Sequence, residues 1–158
     1  MTKRTVVVRD GMNVVYEDGV LDSEMPIGDG VAKWFFPNGA LKAEVPKVEG
    51  ESHGTYREWH DNGQLAKETV FNHGKATGVV RNWNKEGSLE RELEIVSDAA
   101  IHSQSYSEPG RIHHVFLWNG KPISKTKWLK KLEAAGFSKS ELERRFPARD
   151  APGNGADT

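Results

Sequence analysis

The feature that most constrains the fold is an internal repeat of 24 residues, clearest over residues 30–95. Five columns recur at this spacing: Gly30, Gly54 and Gly78; Phe35, Trp59 and Trp83; Gly39, Gly63 and Gly87; Leu41, Leu65 and Leu89; and Glu44, Glu68 and Glu92. A period between about 20 and 50 residues is typical of a chain that stacks copies of one supersecondary unit. We therefore expect a repeat array, with degenerate copies around Gly19 and Gly120 at its two ends.

The turn residues of each copy predict a β-hairpin. Asp61-Asn62-Gly63 and its counterparts in the other copies place turn-compatible residues before a glycine, as in a type I turn followed by Gly in the left-handed region. Such a three-residue loop places Trp59 opposite Leu65 on one face, whereas a two-residue loop would separate them. With return turns at Asn72-His73-Gly74 and Pro109-Gly110, we expect an antiparallel meander of eight to ten short strands.

Alternation along the strands divides the side chains between two faces. The face expected to be buried carries Phe35, Trp59, Trp83, Leu41, Leu65, Leu89, Val45, Thr69 and Leu93. The other face is expected to carry Trp34, Phe36, Tyr56, Glu58 and His60, together with Asn82 and Asn84. Because Trp and Tyr are over-represented at interfaces, the first five of these are the candidate partner-binding residues. The alternative is that the C-terminal helices or a twist of the sheet cover them.

The segment 124–146 has a different pattern, which predicts two short amphipathic helices. The first runs from Lys125 to Ala135, with Trp128 and Leu132 at helical spacing and Gly136 as its C-cap. The second opens at Ser138 with the capping box Ser-x-x-Glu. Their polar faces carry Lys127, Lys130, Lys131, Arg144 and Arg145. We expect a mainly β chain with a hairpin sheet over residues 1–123, this helical segment, and a polar, disordered tail over residues 147–158.

Charge and cysteine content limit the class of protein. Residues 1–120 carry 13 Lys and Arg against 18 Asp and Glu, and residues 121–158 carry 9 against 5, so charge is segregated although the net charge is −1. Without cysteine, neither a disulfide framework nor a thiolate metal site can form. The first apolar run, Val6 to Val8, is too short for a signal peptide or a membrane span, so a cytoplasmic location is expected.

The sequence contains no recognisable catalytic constellation. The histidines at positions 53, 60, 73, 102, 113 and 114 form no zinc-binding helix motif and are expected to be ordinary surface residues. No phosphate-binding glycine loop follows a strand. The acidic column of Glu44, Glu68 and Glu92 lacks the clustered oxygen ligands of a calcium loop. A structural role, with Lys42, Lys67 or Arg91 offsetting the like charges, is the alternative to a cation site. We expect no enzymatic activity, no cofactor and no metal.

The segment Gly54 to Glu68, read as Gly-x-Tyr-x-x-Trp-x-x-Asn-Gly-x-Leu-x-x-Glu, resembles the variant MORN repeat. The resemblance covers roughly residues 10–96, with departures at Glu86, which replaces the turn Asn, and at Ala32 and Val80, which replace the Tyr. It implies a hairpin sheet without catalytic residues. Proteins made of this repeat are often classed as antitoxins or immunity proteins of bacterial toxin systems.

Three functions follow from these observations as hypotheses. The first is an antitoxin or immunity protein that neutralises a cognate protein toxin by direct binding. The second is a MORN-type scaffold or membrane-associated module, which the acidic hairpin array disfavours because anionic lipid attracts basic surfaces. The third is nucleic-acid binding through the basic C-terminal helices, which the slightly acidic chain and the lack of a third helix disfavour.

Overall fold

The computed structural model describes residues 2–97, 100–108 and 111–146. Within them the chain forms one antiparallel sheet of thirteen strands and two helices. The strands are β1 (Arg4–Arg9), β2 (Met12–Glu17), β3 (Val20–Pro26), β4 (Gly30–Phe35), β5 (Leu41–Val48), β6 (Glu51–Ser52), β7 (Gly54–Trp59), β8 (Leu65–Asn72), β9 (Lys75–Trp83), β10 (Leu89–Ser97), β11 (Ala100–Glu108), β12 (Arg111–Trp118) and β13 (Lys121–Ile123). Each strand pairs with its successor, except that β6 pairs with β5, which also pairs with β7. The predicted hairpin meander is confirmed.

The three repeat hairpins, β4–β5, β7–β8 and β9–β10, close through the predicted three-residue turns. In the second, the Gly63 amide donates to the carbonyl of His60 at 2.9 Å. Gly63 has a φ of 84°, in the left-handed region that favours glycine. Strand pairing places Phe35 opposite Leu41, Trp59 opposite Leu65 and Trp83 opposite Leu89. The predicted turn type and register are therefore confirmed.

Two-residue turns join five further pairs of strands. Both central residues have positive φ, as in a type I′ turn, at Asp10-Gly11, Asp18-Gly19, Glu49-Gly50, His73-Gly74 and Asn119-Gly120. The turn predicted around His73 is confirmed, and the one predicted at Pro109-Gly110 lies outside the described residues. The turns at Asp10, Glu49 and Asn119 create the short or terminal strands β1, β6 and β13. For this reason the expected number of eight to ten strands was too low.

An extra residue after each repeat turn reverses the predicted faces. The register shifts between Leu65 and Lys67, so Ala66 forms a β-bulge, and the same shift occurs at Lys42 and Glu90. Residues beyond the bulge point to the opposite face from the Leu column. The prediction that Val45, Thr69 and Leu93 share a face with Phe35, Trp59 and Trp83 was therefore wrong.

The most buried side chains of the repeats lie on the face that carries Trp34, which we call the patch face. They are Ala32, Ala43, Val45 and Thr69, all at most 5% exposed. The aromatic column of Phe35, Trp59 and Trp83 lies on the opposite face and is half-buried, not buried as predicted. In a single sheet, small side chains are covered by larger neighbours, whereas large side chains keep part of their surface in solvent.

A row of alternating charges crosses the opposite face, which we call the ladder face. Strand pairing brings into line Glu24, Lys33, Glu44, Arg57, Glu68, Arg81 and Glu92. Nε of Arg57 lies 3.1 Å from Oε2 of Glu68, and Nε of Arg81 lies 2.8 Å from Oε2 of Glu92. Opposite charges directly across neighbouring strands stabilise a sheet. These arginines therefore offset the acidic column, whereas Lys67 lies on the patch face opposite Glu58.

Two helices follow the sheet, α1 (Lys125–Ala134) and α2 (Lys139–Arg145). Each begins at a serine whose hydroxyl accepts a backbone amide, Ser124 from Lys127 and Ser138 from Glu141. The Ser138 hydroxyl therefore caps α2 as the predicted capping box requires. Gly136, with a φ of 100°, follows the end of α1. The two predicted C-terminal helices are confirmed.

The main apolar core lies where these helices pack on the end of the sheet. Its buried members are Phe116, Trp128, Leu132, Leu142 and Phe146. The indole Nε1 of Trp128 donates to the carbonyl of Leu117 at 2.9 Å, so the one polar atom of this buried ring is satisfied. The helices therefore dock on the ladder face around β12, with contacts that reach β10 of the third hairpin, and not on the patch face.

Candidate partner-binding site

The five predicted partner-binding residues lie on the patch face, at the turn end of the first two repeats. Trp34 is in β4, and Tyr56 and Glu58 are in β7. Phe36 and His60 are the residues that precede the three-residue turns of these hairpins. Trp34 and Glu58 both pair with Ala43 of the intervening β5, so they belong to one row across the sheet. All five side chains are half-buried.

Two adjoining open depressions collect these side chains. One, of about 280 Å³, is lined by Trp34, Lys42, Ala43, Tyr56 and Glu58. The other, of about 300 Å³, is lined by Phe36, Lys42, Glu58, Trp59, His60, Asp61, Ala66 and Lys85. Lys42 and Glu58 line both, so the depressions form one continuous surface, which we call the aromatic patch. The patch also includes Lys42 and Lys85, which sequence reasoning did not assign to it.

Tyr56 is held in place within the patch by three neighbours. Its hydroxyl donates to Oε2 of Glu58 at 2.8 Å, its ring meets Phe71 edge-on at 6.2 Å, and Nζ of Lys67 lies 6.0 Å from its ring centroid. Burial, and after it the hydrogen bond to the Glu58 carboxylate, raises the pKa of the Tyr56 hydroxyl well above its usual value. The hydroxyl therefore stays protonated and acts as a donor at every physiological pH.

His60 joins the second turn to the third, a role that its sequence position did not predict. Its Nε2 lies 2.8 Å from the carbonyl oxygen of Trp83. Two further contacts join the same turns: Nδ2 of Asn62 donates to the carbonyl of Lys85 at 2.8 Å, and Nζ of Lys85 lies 2.7 Å from Oδ1 of Asp61. The hydrogen bond from Lys85 lowers the pKa of the Asp61 carboxyl. These contacts hold the rim of the aromatic patch in one geometry.

The patch combines aromatic rings with charged groups of both signs. Aromatic rings lie beside cations, since Nζ of Lys42 is 5.9 Å from the Phe36 ring centroid. Glu58 is occupied by Tyr56, and the His60 nitrogen nearest the protein is occupied by a carbonyl. The charges of Lys42, Lys85, Glu58 and Asp61 balance, which suits a partner surface with groups of both signs.

A second cluster of rings lies under the C-terminal helices. Nε2 of His102 is 3.1 Å from Nδ1 of His114, and the His102 ring stacks on Phe116 at 4.7 Å. These histidines, which the sequence left as surface residues, share a face because they pair across β11 and β12 through Gln104 and Phe116. His102 is buried, contrary to that interpretation, because Phe146, the residue that follows α2, packs edge-on against its ring.

The basic residues of the helices are partly used within the protein. Arg145 contacts Oε1 of Glu94 at 2.6 Å, and this hydrogen bond raises the pKa of its guanidinium. Nζ of Lys131 lies 4.9 Å from the Trp118 ring centroid. Among residues 2–97, 100–108 and 111–146, no group of three or more His, Cys, Asp or Glu is placed to hold a metal ion. None of the helices in the same ranges is long and apolar enough to cross a bilayer.

The fold and the patch define a single-sheet β-hairpin repeat protein. Residues 28–46 and 52–73 match the MORN repeat variant. The third hairpin, β9–β10, has the same turn and register as these two copies although the match does not extend to it. Two of the chain's hairpins are therefore similar to the MORN repeat variant, as the resemblance of its sequence implied.

Comparisons with curated proteins and with solved structures identify no similar protein of informative extent. No curated protein matches this chain. Among solved structures, a chain described as "accessory secretory protein 1,2 and 3 in Streptococcus pneumoniae" is similar at 12% identity and a TM-score of 0.36. The similarity covers 65% of this chain and 19% of that one. A likeness of this extent gives no information on function.

Proposed function

We propose that this protein is a non-catalytic binding protein whose partner is a cognate bacterial toxin, which it neutralises by covering a functional surface. The observation that carries the proposal is the convergence of Trp34, Phe36, Tyr56, Glu58 and His60 on two adjoining depressions of one face. A repeat sheet with such a patch can bind without any chemistry of its own.

The patch has the composition of a protein interface. Interface energy is concentrated in a few Trp, Tyr and Arg side chains surrounded by polar residues that exclude water. Here Trp34 and Tyr56 supply half-buried rings, and Lys42, Lys85 and Glu58 supply the polar surroundings. Because the Tyr56 hydroxyl and the second turn are fixed by internal hydrogen bonds, binding costs little further ordering.

The toxin is the partner class that the repeat type favours. The match to the MORN repeat variant supports a hairpin scaffold. Proteins built on the variant repeat that the sequence resembles are often classed as antitoxins or immunity proteins. Neutralisation requires only that the patch be complementary to a surface that the toxin needs. A patch with balanced charges fits a folded protein better than it fits nucleic acid, which requires an excess of Lys and Arg.

Site-specific photo-crosslinking in the native cell tests this proposal. A photo-reactive phenylalanine at Trp34 should trap one protein, whereas the same group at Val31, in the same strand but on the ladder face, should not. The trapped protein should arrest growth when it is expressed alone, and co-expression of this chain should restore growth. Equal trapping from both positions would contradict the patch, and a trapped protein that leaves growth unchanged would contradict the toxin.

The affinity of the trapped partner gives the second test. Trp34→Ala and Tyr56→Ala should each weaken binding at least about thirtyfold, since removing a central aromatic anchor costs about 2 kcal/mol or more. Val31→Ala, the control on the ladder face, should leave affinity unchanged. Circular dichroism of each variant shows whether its sheet is intact before affinities are compared.

A further inference from the structure

The first strand of the sheet presents an exposed, apolar edge. β1 is the outermost strand, and all six of its residues are exposed. Its centre is three consecutive valines, Val6, Val7 and Val8, which are 55%, 45% and 67% exposed. Successive side chains alternate between faces, so apolar surface lies on both sides of this edge. In the described residues no strand pairs with its outer side.

The edge lacks the features that usually prevent strands from joining. Natural edge strands carry a proline, a bulge, an inward charge or a cover. β1 pairs with β2 through six consecutive residues without a shift in register, and its interior contains neither proline nor charge. The last strand differs, since β13 has three residues, includes Pro122 and leads into α1. The two ends of the sheet are therefore not equivalent.

The hydrogen-bonding groups that face outward can be assigned. Lys3 bonds to Asp18 through both its amide and its carbonyl, so its peptide groups point inward, toward β2. Peptide groups alternate along an antiparallel strand. Thr5, Val7 and Arg9 therefore face β2, whereas the amides and carbonyls of Arg4, Val6 and Val8 face outward. An incoming strand would bond to these three residues.

Charge decides which strand fits this edge. Residues with outward peptide groups pair with each other in an antiparallel ladder, so a second copy would be centred on Val6 or on Val7. Centred on Val6, it would bring Arg9 opposite Lys3 twice, and like charges in that position are destabilising. Centred on Val7, it would leave the outward groups of Arg4 opposite a turn and not a strand. Arg9 has only a weak ion pair at 3.8 Å to the exposed Asp10. Arginines at both ends of an apolar strand instead complement a partner strand with acidic ends.

We propose that β1 is a docking edge for an extended segment of another protein, with a β-branched centre and an acidic residue at each end. The segment adds a fourteenth strand to the sheet, with affinity from the outward peptide groups and selectivity from the two arginines. This surface is separate from the aromatic patch and uses a different mode of binding. It adjoins the patch, because Thr2 and Phe36 line one depression of about 340 Å³.

The test uses two synthetic peptides and the full chain. The probe is acetyl-Asp-Val-Thr-Val-Thr-Asp-amide, and the control peptide has Lys at both ends. The acidic peptide should shift the backbone amide resonances of Arg4, Val6 and Val8, and should bind at least about tenfold more tightly than the Lys-ended peptide. Equal affinity for the two peptides, or no binding of the acidic one at about 1 mM, would overturn the proposal.

Variants of the edge provide the matched controls. Val6→Pro removes one outward amide without touching a bond to β2, and should abolish binding of the acidic peptide. Val6→Thr keeps the amide and the β-branched shape, and should bind as the wild type does. Arg9→Glu, opposite Met12, should shift the preference toward the Lys-ended peptide. If Val6→Pro binds normally, or if the chain dimerises through β1 without peptide, the assigned occupant is wrong.

Discussion

Nε2 of His60 lies 2.8 Å from the carbonyl oxygen of Trp83 and links two successive hairpin turns. A carbonyl oxygen can only accept, so Nε2 must carry the proton and the imidazole acts as a donor. The first repeat has Phe36 at the corresponding position, which offers no such donor. The link is therefore a property of the second and third repeats, and it ties one side of the aromatic patch to the neighbouring hairpin.

His60→Phe should lower the free energy of unfolding by about 0.5–1.5 kcal/mol, because it keeps an aromatic ring but removes one hydrogen bond. Urea unfolding followed by tryptophan fluorescence measures the change. Asn62→Ala should cost at least as much, because it removes both the parallel bond to Lys85 and the bond that its Oδ1 accepts from the Gln64 amide. A His60→Phe variant as stable as the wild type would mean that this bond does not hold the turns together.

Gly63→Ala should lower the free energy of unfolding by about 1 kcal/mol, because a side chain at positive φ is strained. No atom lies within 4 Å of the Cβ that would be added, so the cost comes from the backbone alone. Gly63→Asn should cost less, since Asn tolerates this region. Thermal unfolding of the two variants gives the comparison. Equal losses for Ala and Asn would contradict the assigned turn.

Trp128→Ala should lower the free energy of unfolding of the helical end by about 3–5 kcal/mol, the cost of removing a large buried ring. Hydrogen exchange should show loss of protection in α1, α2 and β12, with the amides of β7 and β8 still protected. Trp59→Ala, in the half-buried aromatic column, should cost roughly half as much. A larger loss for Trp59 than for Trp128 would contradict the assignment of the core.

Tyr56→Phe should change how stability depends on alkaline pH. The folded state raises the pKa of this hydroxyl above the unfolded value of about 10, so its contribution is complete below about pH 10 and is lost as pH rises through the folded pKa. Between about pH 8 and about pH 11, the urea midpoint should therefore decrease less in Tyr56→Phe than in the wild type. Part of the loss of stability at alkaline pH should remain in Tyr56→Phe, because burial also raises the pKa of Tyr106.

If Tyr56→Phe loses as much stability as the wild type between the two pH values, Tyr56 is not the group responsible. Absorbance at alkaline pH gives a separate measurement, in which removal of Tyr56 should abolish a late-titrating phase of the wild type.

The local features of the repeat could be predicted because they depend on a few adjacent residues. Gly63 and the two residues before it determine the turn, and the turn determines that Trp59 lies opposite Leu65. The two sides of the sheet could not be assigned in the same way. No particular residue type at Ala66 indicates the bulge, and the bulge places every later side chain of β8 on the opposite face of the sheet.

The common face of the five predicted patch residues could be derived from the sequence, because Trp34 and Tyr56 precede the bulge and alternation holds there. The hydrogen bond from His60 to Trp83 was missed because its acceptor is a backbone carbonyl, a group that every residue has and that the sequence therefore does not distinguish. The docking of Trp128 beneath His102 and Phe146 depends on contacts between distant segments. In contrast, the basic column of Lys33, Arg57 and Arg81 recurs at the same 24-residue spacing as the acidic one, and this signal was available.

The alternating charges of the ladder face determine how the array can change in length. Each repeat supplies one cation and one anion, such as Arg57 in β7 and Glu68 in β8. Duplication or deletion of a whole 24-residue unit therefore leaves every charge beside an opposite one. Gain or loss of a single strand would bring two like charges together. Evolution, or an engineer, can therefore lengthen this sheet only in steps of a complete hairpin.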